Sequence, residues 1–213
     1  MLRTKVKASH ITNLTDARYF AAWGVDWLGY NFDEGSAHYI PPQNMKAIKE
    51  WVEGVQSVGE FSFSNATTIN DAIKLLDLDA VQVGMFTDSL VLEKIHGAAV
   101  IKEVVVSEEL PLAAVKKHLD RYAAYASYFL LSFEQSRISW EDLKRSKDNN
   151  AITLLQEMCS HFRIMLSIDL SKDNLEEILA IPNLYGLNLK GGAEEKVGVK
   201  SFEELDDIFD TLL

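Results

Sequence analysis

The sequence predicts an α/β fold, a single (β/α)8 barrel, on three observations. Eight short runs rich in β-branched and aromatic residues alternate with stretches whose apolar residues recur every three or four positions. The alternation runs from one end of the chain to the other, as parallel strands joined by crossover helices require. The length, 213 residues, falls at the short end of the barrel range, so 1–213 reads as one domain. An open doubly wound sheet uses the same alternation, and the count of eight is what favours closure.

The strand runs begin near Lys5 (KVKASHI), Trp27 (WLGYNF), Gln56 (QSVGEFSF), Ala80 (AVQVG), Ala99 (AVIKEVVV), Tyr128 (YFLLSF), Arg163 (RIMLSI) and Leu184 (LYGLNL). In the first helical stretch, Leu14, Ala17, Tyr19, Phe20 and Ala21 precede the stop signal Gly24, with Asn13 placed as N-cap and Asp16 in the first turn. Pro41 and Pro42 stand where a helix N-terminus tolerates them, ahead of Met45, Ile48 and Val52. Residues 134–150 (EQSRISWEDLKRSKDNN) are polar and charged, and read as a loop excursion with a short helix at most. Ser201 is the expected cap of the last helix, whose apolar stripe is Phe202, Leu205, Ile208, Phe209 and Leu212.

Composition bounds the function. Hydrophobic residues make up 47% of the chain, enough for a sizeable core, so disorder is excluded. The 21 Lys and Arg stand against 32 Asp and Glu, a net charge of -11. A field of that sign repels nucleic acid and anionic membranes, so neither is an expected partner. Any anionic substrate has to be held by local devices working against it. Met1–Lys5 lacks a signal-peptide apolar run, and no segment has the length of a membrane span. A lone Cys159, in a helical run, reads as a core residue and excludes an internal disulfide framework. These features point to a cytoplasmic, reducing compartment. No histidine pair has metal-ligand spacing with a carboxylate, so neither a metal nor another cofactor is expected.

Barrel chemistry sits at the C-terminal ends of the strands. Those ends supply Ser9 and His10, Asn31 and Asp33 with His38 beyond, Ser62 and Ser64, and Gln82 and Gly84. They continue with Glu103, Ser132 and Glu134, Asp169, and Asn188 with Lys190-Gly191-Gly192.

Several segments carry a resemblance to one family. The opening KASHITNLTDARYFAAWGVDWLGYNF is similar to the start of phosphoribosylanthranilate isomerases, KICGIT-x3-DA followed by a GAD-x-IGF turn. Lys7, Ile11, Thr12, Asp16, Ala17, Gly24, Asp26 and Gly29 fall on matching positions. Ser36 with Tyr39-Ile40 sits like the family's SPR-x-V/I segment, VGEF at 58–61 like VGVF, VQV at 81–83 like VQLHG, and VIKEV at 100–104 like VIKAV. The ending YGLNLKGGAEEKVGVKSFEELDDIF resembles DVSSGVE-x3-G-x-KD and its final helix. The resemblance implies a (β/α)8 barrel, a role in tryptophan biosynthesis and a small phosphorylated metabolite as ligand, with a homodimer or protein partner as further options.

The departures matter more for activity. The family opens an aminoaldose and moves a proton from C2, using a cysteine at the end of the first strand as general base and an aspartate ending the sixth as general acid. Those positions are Ser9 and Ser132 here. A serine hydroxyl does not titrate near neutral pH, and loss of one positioned acid or base removes about 10²–10⁴-fold in rate. The family arginine after the second strand aligns with His38, and the histidine of VQLHG with Gly84. The glycine pair that cradles the substrate phosphate aligns with Ile168 and Asp169, and the eighth-strand aspartate with Asn188. EQSRISWEDL replaces the Gly-rich loop after the sixth strand. Lys190, Gly191 and Gly192 are the remaining anion candidate, glycine N–H groups beside an ammonium at a turn.

Other readings compete with these. Ser9 and His10 are adjacent, and neighbouring strand residues point to opposite faces, which argues against a nucleophile–base pair. Lys7 and Lys102 share inward parity and are expected inside the barrel near Glu60, Glu103 or Gln82, either as proton-transfer groups or as structural ion pairs. With Gln82, Asp169, Asn188, Lys190, Gly191, Gly192 and His38, Lys7 completes the expected binding set. Three functions follow: an isomerase with relocated catalytic groups, a barrel that has lost the chemistry and binds a ligand or partner, or a sugar isomerase using Lys7, Lys102, Asp169 or Glu60. The residues favour the second.

Overall fold

The structure, a computed structural model, describes residues 1–145, 150–191, 194–196 and 199–213. The barrel strands are β1 Lys5–Ser9, β2 Trp27–Asn31, β3 Gln56–Phe61, β4 Ala80–Val83, β5 Ala99–Val105, β6 Tyr128–Ser132, β7 Ile164–Ser167 and β8 Gly186–Lys190. Each pairs in parallel with the next, and β8 closes on β1 with Lys7 opposite Asn188. This is the closed TIM barrel that the alternation predicts.

The helices are α1 Leu14–Trp23, α2 Pro42–Lys49, α3 Ala66–Leu76, α4 Ser89–Leu92, α5 Leu112–Tyr122, α6 Trp140–Lys144, α7 Ala151–His161, α8 Lys172–Leu179 and α9 Glu203–Leu212. Asn13 caps α1 by accepting the Asp16 N–H, and Gly24 ends it in the left-handed region at φ 75°. Pro42 is the first residue of α2. The polar excursion after β6 holds a 3₁₀ turn, Glu134–Ser136, and the five-residue α6, capped by Ser139 and Asp142. Two short strands, β9 Glu194–Lys196 and β10 Val199–Lys200, pair antiparallel before α9. The expected cap of α9 moves by one residue: Phe202 is the N-cap, and the Ser201 hydroxyl accepts a long bond from Glu203 N–H, 3.4 Å. Tyr19 stacks on Phe202 and Trp23 on Phe209, which binds α9 to α1 across the closure.

The two-residue pleat period divides the barrel interior into layers. Trp27, Val58, Ala80, Ile101, Leu130 and Met165 form an apolar plug. Two residues further along the same strands stand Gly29, Glu60, Gln82, Glu103, Ser132 and Ser167. The upper layer is therefore polar, and it faces the C-terminal mouth. Gly29 is required there, because a Cβ at that position would lie 2.2 Å from Glu60 Oε1 and 2.9 Å from Lys7 Nζ.

Lys102 departs from expectation. The inward residues of β5 are Ile101 and Glu103, so Lys102 has the opposite parity and enters the layer between strands and helices. There it is fully buried, donates to the carbonyls of Gly84, Met85 and Thr87 at 2.6, 2.9 and 2.9 Å, and lies over the Tyr122 ring. Among the described residues, no helix is long and apolar enough to cross a membrane.

Candidate functional site at the barrel mouth

The polar layer opens into a cavity of about 100 Å³ at the C-terminal ends of the strands, framed by Ser9, Gln82, Glu103, Ser132, Gln135 and Asn188, with Leu130 beneath. Its lower wall is one hydrogen-bonded network. The Lys7 ammonium donates to Ser9 Oγ and Glu60 Oε1, each at 2.5 Å, and to Asn188 Oδ1 at 3.3 Å. That engages all three of its N–H groups. The Ser9 hydroxyl donates in turn to Asn188 Oδ1 at 2.6 Å, and Asn188 Nδ2 donates to Ser167 Oγ at 3.2 Å.

The two carboxylates of the layer are pushed apart in pKa. Burial works to raise Glu60, but the Lys7 ammonium and its hydrogen bond outweigh it, and Glu60 is held below the ordinary carboxylate range. Glu103 is raised, first by burial and then by the nearby Glu60 charge. Glu103 accepts from Gln135 Nε2 at 2.7 Å, so the 3₁₀ turn after β6 reaches across the cavity.

His10 follows β1 in the left-handed region at φ 61°, and this backbone turn brings its side chain to the cavity beside Ser9. Strand alternation, which argued against such a pairing, ends at Ser9. The ring stacks on His38 with centroids 4.3 Å apart, and its Nε2 lies 3.6 Å from Glu60 Oε2, beyond hydrogen-bond reach. Burial lowers the pKa of His10 against the pull of Glu60, which leaves the ring neutral near pH 7.

The side of the mouth formed by β7 and β8 is acidic. A second cavity there, about 530 Å³, is lined among the described residues by the carboxylates of Glu134, Asp169, Glu203 and Glu204 and by the cation of Lys190. Lys190 is already ion-paired with Glu134. Asp169 accepts the backbone N–H of Trp140 at 2.9 Å, taking the first amide of α6.

The structure thus brings together Ser9, Gln82, Ser132 and Asn188 around one cavity, with Lys7 buried behind its wall and bonded to Ser9 and Asn188. His38 lies at the rim through its stack on His10, while Asp169, Lys190 and Gly191 line the second cavity. Gly192 lies outside the described residues. Sequence reasoning left Gln135 out of the site, since its role depends on a turn folding over the mouth. Glu103 was expected at a functional strand end and Glu60 as a lysine's neighbour or an acid–base group, but neither was placed in the binding set. The inward parity of Glu103, two residues after the buried Ile101, was the signal available for it.

Comparison with known proteins gives this geometry a lineage. The family model described as N-(5'-phosphoribosyl)anthranilate (PRA) isomerase matches residues 6–211. The chain belongs to this family. An N-(5'-phosphoribosyl)anthranilate isomerase of Sulfurovum is 28% identical over 206 residues, covering 95% of each protein. The phosphoribosyl anthranilate isomerase structure from Thermus thermophilus superposes with a TM-score of 0.76 at 26% identity, covering 98% of both chains. The enzyme from Thermotoga maritima shares the fold, with a TM-score of 0.77 at 24% identity and 98% coverage of both. A Cβ on Gly84 would come to 3.0 Å from the Ser62 backbone, so the chain just after β3 would have to give way to any side chain there.

Proposed function

We propose that this phosphoribosylanthranilate isomerase-family barrel does not turn over the family's substrate and works as a ligand-binding barrel. One observation carries the reading. Ser9, at the family's general-base position, accepts from the Lys7 ammonium and donates to Asn188, so its hydroxyl is locked inside a closed network. A group that takes the C2 proton needs a free lone pair and a pKa near the working pH. The Lys7 ammonium already occupies one of the two lone pairs of Ser9 Oγ, the serine hydroxyl has no pKa in that range, and Ser132 at the acid position has no titratable proton there.

Two further features agree. The mouth cavity of about 100 Å³ is well below the roughly 300 Å³ at which pockets for drug-sized ligands begin. At the phosphate end, Glu134 neutralises Lys190, and the Asp169 carboxylate takes an amide N–H that an anion could otherwise use.

The test is a fluorescence assay with phosphoribosylanthranilate generated in situ, run on the native chain and on a Ser9→Cys, Ser132→Asp double variant. We expect no turnover from the native chain. Turnover that survives both Ser9→Ala and Ser132→Ala would mean that relocated groups perform the isomerisation, and the proposal would be wrong.

A further inference from the structure

The polar layer at the barrel mouth leaves buried acceptors without a hydrogen-bond donor. Lys7 has no N–H left, the Ser9 proton goes to Asn188, and Asn188 Nδ2 goes to Ser167. Gln135 Nε2 is engaged by Glu103, and Lys190 by Glu134. Glu60 Oε2 and Gln82 Oε1 have no hydrogen-bond partner, although Glu60 is only 3% exposed and Gln82 8%. Both residues line the cavity, as does Glu103, whose Oε2 takes only a 3.5 Å bond from Gln82 Nε2. These acceptors stand on three consecutive strands, with Glu60 directly opposite Gln82 in the β3–β4 register. Adjacent strands are about 4.8 Å apart, so one small group placed among them can reach all three.

We propose that this cavity binds a small organic cation: a primary ammonium group on a short chain of about four to six non-hydrogen atoms, a size set by the cavity. An ammonium supplies three N–H donors for Glu60 Oε2, Gln82 Oε1 and Glu103, and a positive charge beside two carboxylates. Leu130 gives the short chain an apolar floor. A metal ion suits the site less well, since no group of three or more His, Cys, Asp or Glu able to hold one occurs among the described residues. An anion would meet Glu60 and Glu103 with no uncommitted lysine to receive it. The proposal rests on the reading that the anionic family substrate is not accepted.

The experiment is calorimetric titration of the full chain with ethanolamine and with n-propylammonium at constant ionic strength. Ethylene glycol and n-propanol serve as neutral controls of matching size. Saturable binding of the ammonium ions but not the alcohols is expected. Glu103→Gln and Gln82→Leu, each checked for native near-UV circular dichroism, are expected to weaken binding by about tenfold or more, the loss of a charge-assisted or buried hydrogen bond. Equal binding of alcohols and ammonium ions, no saturable binding, or affinity unchanged in both variants overturns the proposal.

The isomerase assay, run with and without n-propylammonium, separates the two readings. Turnover competitively inhibited by the ammonium ion would refute the loss of isomerase activity and support the cation site. Absence of both turnover and ammonium binding would refute the cation site alone.

Discussion

Lys7 Nζ lies 2.5 Å from Glu60 Oε1 inside the barrel, with the two side chains 0% and 4% exposed. A buried pair of this kind tolerates the loss of both charges better than the loss of one. Lys7→Met alone leaves Glu60 as an uncompensated buried carboxylate and is expected to cost about 3–5 kcal/mol. Adding Glu60→Leu is expected to recover most of that cost. Urea unfolding of the two single variants and the double variant measures it, and additive losses would show that the pair is not coupled.

Glu103 and Glu60 impose opposite pH dependences. The folded-state pKa of Glu103 is raised, so its contribution to stability is complete below the ordinary carboxylate value of about 4.3 and is lost as pH rises through the folded pKa. That of Glu60 is lowered, so its contribution is present above about 4.3 and is lost as pH falls through the folded pKa. Glu103→Gln is therefore expected to gain stability relative to the native chain on going from about pH 4 to 7. Glu60→Gln is expected to fall behind the native chain as pH rises toward about 4.3 and to stay behind above it. Urea midpoints across this range test both signs.

The acidic side of the mouth can be turned into an anion site. Glu134→Gln frees Lys190, and Asp169→Gly frees the Trp140 amide. The double variant is expected to bind inorganic phosphate in a salt-sensitive manner, seen as line broadening in phosphorus NMR, while the native chain shows none. Equal broadening with both proteins would rule out these carboxylates as the block.

Lys102 holds the loop after β4 through the carbonyls of Gly84, Met85 and Thr87. Lys102→Met leaves those acceptors without the ammonium, at an expected cost of about 2–4 kcal/mol. Hydrogen exchange at residues 85–88 is expected to accelerate more than exchange in β1 or β8. Uniform acceleration across the barrel would show that the lysine acts on the whole fold and not on this loop.

Period and punctuation made the barrel legible. Strand alternation, the Asn13 cap, the Gly24 stop and the proline start at Pro42 each depend on neighbours a few residues away, so the sequence displays them directly. The placement of Ser9 and Ser132 at the ends of β1 and β6 was also legible, because a strand end has a fixed place in the chain. Parity failed at Lys102, where a lysine in a run of apolar and β-branched residues gives no sign of the face it takes. It failed again at His10, where a left-handed residue ends the alternation.

The sequence by itself determined eight strands, their order, the absence of titrating groups at positions 9 and 132, and an acidic overall field. Only the tertiary structure decided which charges meet. Lys7 is 53 residues from Glu60 and 181 from Asn188, Lys190 is 56 from Glu134, and Gln135 is 32 from Glu103. Hydrogen bonds and buried ion pairs act over a few ångströms and need specific directions. They are fixed by barrel closure and register, which bring distant segments together, and not by spacing along the chain.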